Sequence, residues 1–93
     1  MPPKLLVELN EIDLSAVVAD REAIREVVPQ RFEMEQIEAV HHLDRANQLA
    51  VGSLEIREDG WWARGHIPGR PIFPGALIME AAAQLSTWLF KEL

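Results

Sequence analysis

The hydrophobic and polar positions divide the 93 residues into four stretches with different periods. Over 1–35 the pattern is weak. Leu5-Leu6-Val7 permits a short strand, and Asp13-Leu14-Ser15 a turn or helix start. Asp20 is a good N-cap for a helix over Arg21 to Val28, where positions 23, 24, 27 and 28 are apolar at helical spacing. Pro29 stops that helix, because it pushes Val28 out of the α region. Residues 36–57 then change period. Ile37, Ala39-Val40 and Leu43 alternate imperfectly, Asp44-Arg45-Ala46-Asn47 supplies turn residues, and Leu49 and Val51 lie in one phase with Leu54 and Ile56 in the other. The pattern predicts an antiparallel hairpin of strands 36–43 and 48–57, with a β-bulge at Gly52, where the phase changes.

Residues 58–75 form a connector. Pro68, Pro71 and Pro74 recur every three residues, each fixing its own φ and biasing the residue before it to extended angles. Pro74 and Gly75 open a helix over 76–92, roughly 26 Å long at 1.5 Å per residue. It is apolar over most of its circumference, through Leu77, Ile78, Met79, Ala81, Ala82, Ala83, Leu85, Trp88, Leu89 and Phe90, which predicts a buried helix. Glu80, Gln84, Thr87 and Lys91 make one polar stripe, and periodicity alone reads it as a solvated edge.

Composition narrows the class. The chain is 48% hydrophobic and 26% charged, as in globular domains, and has no cysteine, so it offers neither a disulfide framework nor a thiolate. No apolar run is long enough to span a bilayer. The start, Met1-Pro2-Pro3-Lys4, lacks the layout of a secretory signal, so the expected location is the cytoplasm. The net charge of −6 argues against nucleic-acid binding. Residues 61–79 nevertheless carry Arg64, Arg70 and no carboxylate, a basic island suited to an anionic ligand or partner.

Candidate chemistry gathers around that island. His66 begins the proline connector, Glu80 lies about one turn inside the apolar helix, and the helix N-terminus offers free N–H groups. A base titrating near neutrality, a carboxylic acid in apolar surroundings and oriented N–H donors are the parts that proton abstraction beside a carbonyl needs. Adjacent strand residues point to opposite faces, so His41-His42 makes a poor metal pair, and no ligand spacing occurs elsewhere. Trp61-Trp62 reads as a short amphipathic turn on the core.

The run from Arg64 through His66, Pro68, Gly69, Pro71, Pro74, Gly75, Glu80 and Ala81 to Gln84 resembles the signature of the 3-hydroxyacyl-acyl carrier protein dehydratases. Their pattern, G-H-F-P-G-x-P-x-x-P-G-x-L-x-x-E-A-x-A-Q, is matched with Ile67 in place of phenylalanine. Upstream, Pro29-Gln30-Arg31-Phe32 is similar to P-H-R-[YF], and Glu35 to Val40 stand where the family has L-L-V-D-R-[VI]. The resemblance implies an α+β hot-dog fold, in which antiparallel sheet wraps a long central helix. It implies His66 as the base that removes a C2 proton, Glu80 as the acid for the departing C3 hydroxyl, the Gly75 N–H against the thioester carbonyl, and Gln84 supporting Glu80. Glutamate at position 80 resembles the plain dehydratases; relatives that also isomerise the double bond have aspartate there.

The implied partner is acyl carrier protein bearing a 3-hydroxyacyl-phosphopantetheine, met by Arg64 and Arg70. The resemblance implies no cofactor, and a homodimer or higher oligomer in which histidine and carboxylate meet across the interface. The family's domain continues past the central helix into further strands, so residues 1–93 are expected to hold one partial hot-dog domain without its C-terminal strands. The other readings are a non-catalytic acyl-binding or assembly subunit or an inactive fragment of the hot-dog family and, after these, a hot-dog thioesterase.

Overall fold

The computed structural model describes residues 5–93, and Met1 to Lys4 lie outside it. Residues 5–19 form no regular strand. Leu5-Leu6-Val7 is irregular, Leu9–Glu11 is a single 3-10 turn, and Asp13 accepts the backbone N–H and hydroxyl of Ser15 in an Asx turn. Helix α1, Arg21–Arg25, starts where Asp20 accepts the N–H of Ala23 at 2.9 Å. It is shorter than its apolar spacing predicts. Arg31 folds back and donates to the carbonyls of Arg25, Val28 and Gln30, closing the helix before Pro29 would break it.

Strands β1, Ala39–Asp44, and β2, Leu49–Ser53, form an antiparallel hairpin. Two corrections to the sequence pattern arise here. The bulge lies on β1, where His41 is the extra residue between the pairs Val40–Gly52 and His42–Val51. Gly52 sits opposite, and its lack of a side chain serves close approach: a Cβ there would stand 3.1 Å from the Ala39 carbonyl oxygen and 3.2 Å from Leu85. Moreover, the ladder ends at Ser53. The carboxylate of Glu38 takes the N–H of Glu55 at 3.1 Å, so a side chain replaces the backbone partner and 54–57 leave the sheet. On the other edge of β1, Val40 exchanges backbone bonds with Ala19 and is fully buried.

His41 fastens the N-terminal segment to this bulge. Its Nδ1–H donates to the Ala16 carbonyl at 2.8 Å, and its Nε2 accepts from the Ser53 hydroxyl at 2.7 Å. Both ring nitrogens are thereby engaged.

Helix α2, Ala63–His66, and helix α3, Gly75–Glu92, complete the element order β1-β2-α2-α3 after α1. α3 lies across the hairpin, and Ala81 and Trp88 join Ala19, Ile24, Val28, Ile37 and Val40 in one core. Its buried stripe is Leu77, Ala81, Gln84 and Trp88. The expectation of a helix buried all round is corrected: Ile78, Met79 and Phe90 are 57%, 75% and 81% exposed. A two-stranded ribbon spaced about 4.8 Å cannot wrap a helix roughly 10–12 Å across. The solvated reading of the polar stripe is corrected too, because Gln84 is 2% exposed and faces the core. Among the described residues no helix is long and apolar enough to cross a membrane.

Candidate functional site

The site is built from the turn before α2. Gly60 lets Trp62 fold over it, since a Cβ there would meet the indole nitrogen at 2.5 Å. Trp62 is buried, packs edge-on to Phe73 with ring centroids 5.2 Å apart, and so draws the proline connector against α2. Trp61 beside it is exposed. The connector includes a turn at Gly69, whose φ of 82° suits glycine.

His66 ends α2 and is exposed. Its Nδ1 lies 2.9 Å from the Ile72 carbonyl oxygen. A carbonyl only accepts, so Nδ1 carries the hydrogen in the neutral ring and Nε2 keeps its lone pair. A cleft of about 300 Å³, lined by Trp61, Trp62, Gly65, His66, Pro74 and Leu77, opens beside it. A free imidazole nitrogen next to an apolar cleft is the arrangement a base needs for a weakly acidic C–H.

Glu80 is half-buried, one turn inside α3, and does not line the His66 cleft. Its Oε1 accepts from Gln84 Nε2 at 3.0 Å. Gln84 also donates to the Met34 carbonyl at 2.7 Å and accepts from the Gln36 N–H at 3.0 Å. The single chain thus pairs Glu80 with Gln84, and Glu80 is not among the residues that line the cleft beside His66. Gly75 is the first residue of α3, where the dipole favours developing negative charge, and apart from its chain neighbours and the helix's own backbone no described atom lies within 4 Å of where its Cβ would be. Arg64 and Arg70 are exposed and line one shallow cleft together with Glu58 and Asp59, so acidic side chains share the basic island's surface. No group of three metal-ligating side chains occurs among the described residues.

Sequence reasoning overlooked Glu35 and Gln36. Glu35 accepts from Arg25 Nε at 3.0 Å and Arg21 Nη1 at 3.4 Å, and the Arg25 hydrogen bond holds its carboxyl below the ordinary value of 4.5. The signal was present: Arg21 and Arg25, four apart, put two guanidinium groups on one face of α1.

The sequence pattern described as a FabA-like domain matches residues 28–93. A 3-hydroxyacyl-[acyl-carrier-protein] dehydratase FabZ of Moorella thermoacetica is 38% identical over 66 residues, 71% of this chain and 46% of the relative. The dehydratase of the same name from Paramagnetospirillum magneticum is 35% identical over 80 residues, 86% of this chain and 48% of its own. That of Escherichia coli O9:H4 is 41% identical over 74 residues, 77% of this chain and 48% of its own. The chain therefore spans about half the length of the curated relatives it matches.

Proposed function

The chain belongs to the FabA-like domain family, with the α+β hot-dog fold, and on that premise we propose that it takes part in dehydrating carrier-bound 3-hydroxyacyl thioesters to trans-2-enoyl thioesters. In this reading His66 Nε2 removes the C2 proton. The C2–H electrons form the C2=C3 bond, the C3–O bond breaks, and Glu80 supplies the proton with which the hydroxyl leaves as water. The N–H of Gly75, at the positive end of α3, faces the thioester carbonyl as enolate charge develops. Gln84 holds one Glu80 oxygen.

The observation that carries the reading is the His66 ring, pinned through Nδ1 to Ile72 with Nε2 free beside an apolar cleft. In this reading base and acid meet across two copies of the protein, His66 from one and Glu80 from the other, which agrees with Glu80 not lining the cleft beside His66. The substrate arrives on acyl carrier protein, with Arg64 and Arg70 toward its phosphate or acidic surface, and the setting is cytoplasmic fatty-acid-type synthesis.

The test is incubation with a 3-hydroxyacyl thioester while conjugated enoyl product and free thiol are both followed. Enoyl formation lost in His66→Asn and in Glu80→Gln supports dehydration. Free thiol means thioester hydrolysis instead. Acyl chain bound without either product means a binding subunit.

A further inference from the structure

The amide of Gln84 has one possible orientation. Its neighbours Met34 and Gln36 contribute a backbone carbonyl, which only accepts, and a backbone N–H, which only donates. Gln84 Oε1 must face Gln36, so Nε2 must face Met34, and the second Nε2 hydrogen falls on Glu80 Oε1. A flipped amide would set carbonyl against carbonyl and donor against donor in a buried position.

The segment that imposes this orientation is itself fastened. Gln36, 6% exposed, donates from Nε2 to the Glu33 carbonyl at 3.1 Å. Glu35 is clamped by Arg25 and Arg21, so the segment hangs from α1. Glu35 and Gln36 stand where the resembled dehydratase pattern has two leucines, and these polar anchors therefore belong to this sequence.

We infer that the Glu35-Gln36 segment, anchored on α1, orients the Gln84 amide and through it the carboxyl of Glu80. Gln36 and Gln84 are positioning residues in this scheme. With Oε1 occupied by an N–H, the proton that Glu80 delivers resides on Oε2. The functional half of the inference rests on the proposed role of Glu80 as acid; the orienting half rests on the hydrogen bonds alone.

The test reads hydrogen exchange at the Gln84 side-chain amide by NMR in the intact chain, with Gln84→Met identifying the resonances. Both Nε2 hydrogens are expected to be protected in the wild type. Glu35→Ala is expected to speed their exchange about tenfold, the effect of losing roughly one buried hydrogen bond. Glu22→Ala, which removes a different partner of Arg25 and leaves Glu35 paired, is expected to change nothing. Gln36→Leu, which removes only the brace to Glu33, replaces Glu35→Ala if that variant does not fold.

In enoyl formation the loosened variants are expected to lose kcat about tenfold with KM within about twofold, the split expected when an aligned acid is lost and binding is kept. Unprotected Gln84 hydrogens in the wild type, or unchanged exchange in the loosened variant, overturn the inference. A wild type that forms no enoyl product overturns the dehydratase reading and leaves the exchange result to decide the orienting role.

Discussion

The imidazole of His66 donates from Nδ1 to the carbonyl of Ile72, six residues on and 2.9 Å away. The bond closes the turn through Pro68 and Gly69 and leaves Nε2 as the only ring nitrogen with a free lone pair. His66→Asn retains an N–H near the Nδ1 position and removes Nε2. Its unfolding free energy is expected within about 0.5 kcal/mol of the wild type, as for an exposed side chain. Enoyl formation should fall by about 10²- to 10⁴-fold, the usual contribution of a general base. Parallel urea titrations and product assays would check the pair of expectations, and a large stability loss would reassign His66 to a structural role.

Trp88 is 3% exposed and joins α3 to the core built from Ala19, Ile24, Val28, Ile37 and Val40. Trp88→Ala should cost about 3–5 kcal/mol. For a chain of 93 residues that is a large share of the total. Circular dichroism is expected to show a greatly lowered unfolding midpoint, while Phe90→Ala, on the exposed face, should leave it nearly unchanged.

Glu35 links stability to pH. Its folded carboxyl titrates below 4.5, chiefly because Arg25 donates to it. A carboxyl with a lowered folded value contributes stability that is fully present above the unfolded value and lost as pH falls through the folded one. Denaturant midpoints of the wild type should therefore drop with acidification below about pH 4.5, and more steeply than those of Glu35→Gln. Parallel curves for the two proteins would remove Glu35 from that account.

Two glycines separate folding from ligand approach. Gly60→Ala places a methyl 2.5 Å from the Trp62 indole nitrogen, so it should displace Trp62 and red-shift the tryptophan emission. Gly65→Ala meets no described atom within 4 Å beyond its chain neighbours and the backbone of α2, in which it lies. It should be neutral, or stabilising by about 0.5–1 kcal/mol through helix propensity. Loss of turnover in a stable Gly65→Ala protein would mean that substrate needs the space.

Legibility in the sequence followed the range of the interaction. The α1 cap at Asp20, the turn at 44–47 and the start of α3 at Gly75 depend on neighbours within four residues, and residue type alone declares them. The length of the strands did not, because Glu38 ends the ladder by reaching across to Glu55 with its side chain. A phase change in one strand and an extra residue in its partner leave similar traces, so the pattern points to Gly52 on β2 whereas the bulge lies at His41 on β1. Periodicity alone cannot place Gln84, because its position on α3 belongs both to the polar set and to the buried stripe. Only its partners, 48 and 50 residues away, decide which face turns inward. His66 and Glu80 are legible both from their chemistry beside a helix N-terminus and from the resemblance they carry. Glu35 and Gln36 show in the sequence only as a departure from that resemblance, and their anchoring role depends on Arg25, Glu33 and Gln84.

The separation of those partners also bears on the order of assembly. The hairpin closes over a four-residue turn, whereas the Gln84 bonds close loops of 48 and 50 residues. The entropy of closing a loop rises with its length, and local contacts form fastest. The hairpin is therefore expected to precede the docking of α3, and the Gln84 bonds can form only once α3 has docked. The carboxyl of Glu80 would then be aligned only after the hairpin has formed, and a ribosome-bound chain that has emerged only through the hairpin would hold none of that alignment.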